Sequence, residues 1–341
     1  MIRILLADDS LLVRTVLADA LKSAGDMTVV AEAGNGVEAV ALTELHKPNI
    51  VIMDILMPVM GGLEATEAIM ARSPVPILIL SATVNEKDVN LAFTAIKKGA
   101  LDVMGKPSLN TPENQQEFID KLLEKIRLLS RIKVIRHIHS SKEQREVAAL
   151  PQSGANRKIL AIGASTGGPK AVMSIVKELP AGFGAAVFIV QHISSGFAKG
   201  FAQWLNMECS IPVRLAQEGD KVRSGEVLVA PTDRHLLIEN GVVRLSDAPP
   251  VNCCRPSIDL FFSSLASGYA GQTAAVLLTG MGKDGAAGLA DIKERGGRTI
   301  AQDEKTSVVF GMPKAAIALN AVDEILPLGD IPAALSRIFS T

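Results

Sequence analysis

KILAIGASTGGP, residues 158–169, decides how this chain is to be read. Its first half is an apolar run of strand length; its second half breaks into glycines around one serine, just where a helix can begin. A strand turning sharply into a helix is half of a βα unit, and the turn lifts a hydroxyl clear of the sheet. Gly163-Ala164-Ser165-Thr166-Gly167 fits the G-x-S-x-G elbow that presents a nucleophilic serine for acyl transfer. Two other glycine-rich readings fail on the same residues. A P-loop needs Lys and then Ser or Thr after its last glycine, whereas Gly168 is followed by Pro169, Lys170 and Ala171. A dinucleotide fingerprint needs a second glycine where Ala164-Ser165 stands. Alone, the short pattern is more often that of an ordinary connection, so the chemistry depends on finding a base and an acid.

The alternation of apolar strand-length runs with amphipathic stretches extends along nearly the whole chain, which predicts βα units and parallel sheets. In the second half, strands are expected at 159–163, 185–191, 227–230, 274–279 and 299–301. A hairpin is expected at Glu239-Asn240-Gly241, where Asn-Gly suits a type I′ turn. In the first half, strands are expected at 2–7, 29–32, 50–54, 77–81 and 101–104. Residues 122–135 continue as a helical, increasingly basic stretch, and 137–156 (HIHSSKEQREVAALPQSGAN) is polar and without period, as a linker is. The expected organisation is α/β: two doubly wound parallel-sheet domains, at 1–128 and 157–341, joined by a linker at 129–156.

Composition agrees with two domains. At 341 residues and 48% apolar content the chain can bury two substantial cores. A net charge of -1 without a long basic stripe argues against a nucleic-acid surface. The apolar start of MIRILLADDS is too short for a signal peptide, and no later stretch reaches membrane-spanning length, so no membrane insertion is expected. Cys209, Cys253 and Cys254 are odd in number and lack zinc-ligand spacing, which fits reduced thiols in a cytoplasmic protein.

In an open α/β sheet, ligands bind beyond the carboxyl ends of the strands. Asp8 and Asp9 follow the first expected strand, Asp54 ends the third, Ser81 ends the fourth, and Lys106 follows the fifth. Three carboxylates at one edge repel each other; a hard divalent cation with oxygen ligands holds them together, and Mg²⁺ fits best. Such an ion would also neutralise a phosphoryl group arriving at Asp54, which Ser81 could hydrogen-bond and Lys106 could pair with. Singly, each residue has a plainer reading: Asp9 or Ser10 as a helix cap, Lys106 as a solvated charge.

In the second half, His192 closes the strongly apolar run AAVFIVQH and is expected on the same sheet edge as Ser165. His46 ends a helical segment, His137 and His139 fall in the linker region, and His235 opens a hairpin strand, so each reads as structural or solvated. Asp284 lies in a glycine-bracketed loop after AAVLLTG and is the leading acid, its plainer role being the cap of the next helix; Asp259 is the alternative. With these, Ser165 attacks an acyl carbon, His192 carries its proton, and Asp284 fixes the imidazole tautomer. Backbone N–H groups at Thr166 and Met281 are the candidate oxyanion donors. The order Ser, His, Asp is not that of α/β-hydrolases.

LLADDS, DILMP, LSAT and GKPS resemble the motifs of response-regulator receiver domains, over roughly residues 1–128. The resemblance implies a flavodoxin-like fold with Asp54 as the phosphorylated residue. It further implies Asp9, Asp54 and the Leu56 carbonyl on Mg²⁺, Asp8 assisting through water, and Lys106 on the phosphate. GASTGGP, FIVQH, CRPSID, LLTGMGKDGA and VVFGMPKAA resemble the Rossmann-like catalytic domain of the CheB family of chemotaxis methylesterases. That resemblance implies Ser165, His192 and Asp284 as a catalytic triad needing no cofactor, and hydrolysis of glutamate γ-methyl esters on chemoreceptor helices to glutamate and methanol. It also implies deamidation of receptor glutamines and a chemotaxis histidine kinase as phosphodonor. The chain departs from the family pattern at Gly61-Gly62, Val103, Ile193-Ser194-Ser195 and Cys254.

Overall fold

The computed structural model describes residues 1–81, 86–106, 112–132, 134 and 158–339. Two parallel sheets account for the two series of strands. The first contains β1 (Ile2–Ala7), β2 (Met27–Ala33), β3 (Ile50–Asp54), β4 (Ile77–Ser81) and β5 (Asp102–Gly105) in the order β2-β1-β3-β4-β5. This is the flavodoxin-like order, whose chain reverses direction between β1 and β3. β3 and β4 are buried throughout, so they read as unbroken apolar runs and not as alternating ones. Around them run α1 (Leu11–Ser23), α2 (Gly36–His46), α3 (Gly62–Arg72), α4 (Glu86–Lys97) and α5 (Pro112–Leu129).

The second sheet has seven strands in the order β14-β13-β12-β6-β7-β9-β8, and every pairing is parallel. They are β6 (Ile159–Ala164), β7 (Ala186–Gln191), β8 (Val213–Leu215), β9 (Val227–Val229), β12 (Thr273–Leu277), β13 (Arg298–Gln302) and β14 (Glu324–Leu326). A separate hairpin joins β10 (His235–Glu239) to β11 (Val242–Ser246) through Asn240 and Gly241, both at positive φ as a type I′ turn requires. The helices are α6 (Gly168–Val176), α7 (Ala198–Glu208), α8 (Ile258–Tyr269), α9 (Ala286–Glu294), α10 (Met312–Ala318) and α11 (Ile331–Phe339).

The doubly wound α/β fold agrees with the sequence reading. Its ten expected strands are present with ends displaced by a few residues, while β8 and β14, three residues each, are additional to them. The helical stretch expected to reach residue 135 stops earlier, because α5 ends at Leu129. The expected linker segment 137–156 lies outside the described residues, as do His137 and His139.

The two domains meet along α4 and α7. Phe93 of α4 stacks on Trp204, with ring centroids 5.5 Å apart and planes 21° from parallel, and also contacts the Phe197 and Phe201 rings. Gly200 allows the approach: a Cβ there would lie 2.1 Å from Val89 Cγ1. At one end Lys97 pairs with Glu208 at 2.7 Å. At the other, Gly105 N–H donates to Ser194 Oγ at 3.2 Å.

Candidate active site and phospho-acceptor site

β6 is the switch point of the second sheet: β7 lies on one side and β12 on the other. Ser165 follows β6, His192 follows β7, and Asp284 lies in the loop after β12, so all three sit where such sheets bind ligands. Ser165 N–H donates to Thr279 O at 3.0 Å and His192 N–H to Ala164 O at 2.9 Å, extending the ladder by one residue past the strand ends. Gly167, at φ 76°, makes the turn into α6, and a Cβ on it would meet Val308 Cβ at 2.5 Å. Gly280 is equally constrained, since a Cβ there would stand 2.7 Å from Ser165 Cβ.

Buried Gln191 ties serine and histidine together: its Nε2 donates to Ser165 O at 2.8 Å and to His192 O at 2.9 Å. Thr279 does similar work below the elbow, its Oγ1 donating to Thr166 O at 3.0 Å and accepting from Val309 N–H at 2.9 Å. Among the described residues the Thr166 and Met281 N–H groups have no protein acceptor, the condition for serving an oxyanion.

His192 Nε2 lies 3.0 Å from Asp284 Oδ2. A carboxylate there fixes the tautomer, with Nε2 carrying the proton and Nδ1 the lone pair. Nδ1 faces Cys254 Sγ at 3.7 Å, and among the described residues no side-chain hydrogen bond joins Ser165 to His192. Cys254 Sγ also lies 3.3 Å from Asn252 O. Burial and the Asp284 charge push the Cys254 thiol up to about 12.

Asp284 caps neither its own helix nor a solvent-facing turn; Gly285, at φ 91°, is the N-cap of α9. Its carboxylate sits instead on the N-terminus of α8. Oδ2 accepts from Ile258 N–H at 2.7 Å, and Oδ1 from Ser257 Oγ at 2.8 Å, Asn252 Nδ2 at 3.1 Å and Asp259 N–H at 3.2 Å. Burial opposes the negative charge, but His192 and these donors outweigh it and hold the carboxyl at about 2. Asp259, the alternative acid, accepts from Gly288 N–H and Asn252 Nδ2, and burial raises its pKa. It therefore braces the network and does not touch His192. His235 is fully buried: Nδ1 accepts from Ser257 N–H at 3.1 Å, leaving Nε2 to donate to Pro249 O at 3.1 Å. Asn252, Ser257 and His235 were not legible as site residues, since each lies on a loop or hairpin brought in only by tertiary packing.

The first sheet gathers its own cluster. The carboxylates of Asp8, Asp9 and Asp54 lie within 4.8 Å of one another. Lys106 Nζ reaches Asp8 Oδ2 at 2.7 Å and Asp54 Oδ2 at 2.9 Å. Ser10, not Asp9, caps α1, so Asp9 is spared for the cluster. Ser81 is buried at the end of β4 and accepts from Lys106 N–H through its carbonyl at 2.9 Å. Leu56 lies exposed on the loop after β3. Burial, only partly offset by Lys106, raises the Asp54 pKa; burial lowers that of Lys106, but Asp8 and Asp54 more than reverse it. Negative charge on three hard oxygen donors, two of them buried (Asp8 and Asp54) and the third (Asp9) exposed, with one ammonium to balance it, fits a divalent cation of the Mg²⁺ type. Gly62 is required beneath it, because a Cβ would fall 1.9 Å from the Asp54 carbonyl oxygen.

Fold and site together define a two-domain α/β protein in which a receiver-type carboxylate cluster is joined to a sheet edge bearing Ser, His and Asp. Comparison with known proteins agrees for both halves. The family described as CheB methylesterase matches residues 160–335, and the response regulator receiver domain matches residues 4–120. A protein-glutamate methylesterase/protein-glutamine glutaminase 2 of Anaeromyxobacter dehalogenans is 44% identical over 99% of this chain and 97% of its own. The corresponding enzyme 3 of Pseudomonas aeruginosa is 42% identical over 99% of both chains. The crystal structure of the Thermotoga maritima CheB methylesterase catalytic domain covers 53% of this chain and 98% of its own, at 41% identity and a TM-score of 0.52. The chain belongs to the CheB methylesterase family.

Proposed function

We propose that this chain is a phosphorylation-activated serine esterase of chemotaxis signalling. It hydrolyses glutamate γ-methyl esters on chemoreceptor cytoplasmic helices to glutamate and methanol and deamidates specific receptor glutamines, acting in the cytoplasm. The reading rests above all on the His192–Asp284 pair at 3.0 Å, set beside Ser165 on the neighbouring strand end. In the reaction Ser165 Oγ attacks the ester carbonyl, and His192 Nδ1 takes the hydroxyl proton and returns it to the departing methoxide. A water then enters by the same route and frees the glutamate. Asp284 remains ionised and stabilises the imidazolium, while the Thr166 and Met281 amides receive the oxyanion. The imidazole must exchange its Cys254 contact for the Ser165 hydroxyl to begin. No cofactor enters this cycle.

Control belongs to the first domain, proposed to span residues 1–128, with a linker at 129–156 and the catalytic domain at 157–341. Asp54 is the phosphoacceptor for a chemotaxis histidine kinase, with Ser81 and Lys106 on the incoming phosphoryl group. Asp9, Asp54 and the Leu56 carbonyl would hold Mg²⁺, with Asp8 assisting; the ion would neutralise phosphoryl charge. Phosphorylation draws Lys106 to a new partner, and Gly105, next to it, is bonded to Ser194, two residues past His192. In this proposal the receiver partly covers the esterase cleft, and phosphorylation of Asp54 shifts the equilibrium toward an uncovered state.

Methanol release from methylated receptor, measured with and without a small-molecule phosphodonor and Mg²⁺, tests both parts. Release by the intact protein is expected to rise with phosphodonor, and Asp54→Asn is expected not to respond. Equal response by Asp54→Asn would refute the control, and release by Ser165→Ala would refute the nucleophile.

A further inference from the structure

We infer that the active site contains a binding site for a soft divalent cation of the Zn²⁺ class, built by His192 Nδ1 and Cys254 Sγ. In a tetrahedral zinc centre, Zn–N and Zn–S bonds of about 2.0 and 2.3 Å place nitrogen and sulfur about 3.5 Å apart. The observed separation is 3.7 Å, so an ion fits between the two atoms with little movement of either.

The far side of the ring supports the same reading. Metal-bound histidines characteristically donate their other N–H to a carboxylate, which orients the ring and makes the ligating nitrogen more basic. His192 does so here, its Nε2–H donating to Asp284 Oδ2 at 3.0 Å, and Asp284 is itself locked by Ser257, Asn252 and the α8 amides. Donor atoms of His192, Cys254 and Asp284 all lie within 4.8 Å of one another. The side chain of His192 is only 15% exposed, so the bound ion would be largely shielded, with its remaining positions open to water.

Binding exchanges the Cys254 S–H bond for an S–metal bond and releases one proton to solvent. It also occupies the Nδ1 lone pair. Thiolate and imidazole favour Zn²⁺, Co²⁺ or Cu²⁺ over Mg²⁺, whereas the all-oxygen cluster of Asp8, Asp9 and Asp54 suits Mg²⁺. The chain thus sorts two cations by hardness, one at each sheet. If the esterase reading holds, the soft ion is a reversible inhibitor, since it takes the nitrogen that must accept the Ser165 proton.

The test is Co²⁺ titration of the full chain in excess Mg²⁺, followed by absorption. One equivalent is expected to produce a near-ultraviolet thiolate-to-cobalt charge-transfer band that Zn²⁺ abolishes by displacement. The band should vanish in Cys254→Ser and persist in Cys253→Ser and Cys209→Ser. Persistence in Cys254→Ser, loss in Cys253→Ser, or no band in the wild-type chain would overturn the assignment. Zinc-edge X-ray absorption of the wild-type protein needs no variant: a single sulfur at about 2.3 Å is expected, and a shell of oxygen and nitrogen alone would refute it. Neither readout needs turnover, so the metal site stands or falls independently of the esterase assay. In the parallel rate assay, Zn²⁺ should inhibit the wild type reversibly on chelation and leave Cys254→Ser at its own metal-free rate.

Discussion

Asp284 illustrates how much a single carboxylate can be made to do. Five donors converge on its two oxygens: His192, Ser257, Asn252 and the amides of Ile258 and Asp259. They stabilise only the charged form, which is why the group stays ionised down to about pH 2 despite being buried. Asp284→Asn keeps the shape but places an amide N–H₂ among donors and no longer selects the Nε2–H tautomer. A loss of roughly 10³–10⁴ in kcat is expected, with KM little changed. The sign of the stability effect follows from the depressed pKa. The folded carboxyl lies below its unfolded value of about 3.9, so its contribution is fully present above about pH 4 and is lost as pH falls towards 2. Urea midpoints of wild type and Asp284→Asn should therefore converge below about pH 4. A gap that stays constant from neutral pH down to about pH 2 would contradict this account.

α8 is the element that makes the acid possible. Its N-cap, Ser257, spends one hydroxyl on two tasks, accepting from Leu260 N–H at 3.3 Å and donating to Asp284 at 2.8 Å. Ser257→Ala removes both the cap and a charge-assisted hydrogen bond, and a loss of about 1–3 kcal/mol in unfolding free energy is expected by denaturant titration. An unchanged midpoint would mean that the α8 terminus is held by something else. None of this is announced in the sequence. Ser165, His192 and Asp284 could be read because each follows an apolar run that is itself a strand, and strand ends converge in a parallel sheet. Asp8, Asp54 and Lys106 were legible for the same reason. Ser257 could be seen as part of CRPSID, but its alignment with a loop 27 residues later is a matter of tertiary packing. β8 and β14 escaped notice because three residues are too few to display a period, and each strand lies at an edge of the sheet.

Across the whole molecule, the interdomain surface is apolar in the middle and polar at its ends. Phe93 enters a ring of Phe197, Phe201 and Trp204, flanked by Lys97–Glu208 and by Gly105–Ser194. Trp204 is the one tryptophan of the chain, so its emission reports this surface alone. Phosphodonor should shift that emission to the red as Phe93 withdraws, and Asp54→Asn should leave it unmoved. Ser194→Ala deletes one hydrogen bond worth about 0.5–1.5 kcal/mol, which should raise the unphosphorylated esterase rate by about 2–12-fold. If the methanol assay finds that rate unchanged, the contact does not help to keep the domains closed.

The Gly105–Ser194 contact also constrains how this control can diverge between relatives. The receiver contributes a main-chain amide at a glycine where a Cβ would lie 2.9 Å from Phe197 Cε2, whereas the catalytic domain contributes a side chain that a single codon change removes without adding bulk. Mutation can therefore loosen or tighten this latch from the catalytic side while leaving the phosphate-sensing machinery untouched. Strength of restraint becomes heritable separately from sensitivity to the kinase, and a lineage can tune one without risking the other.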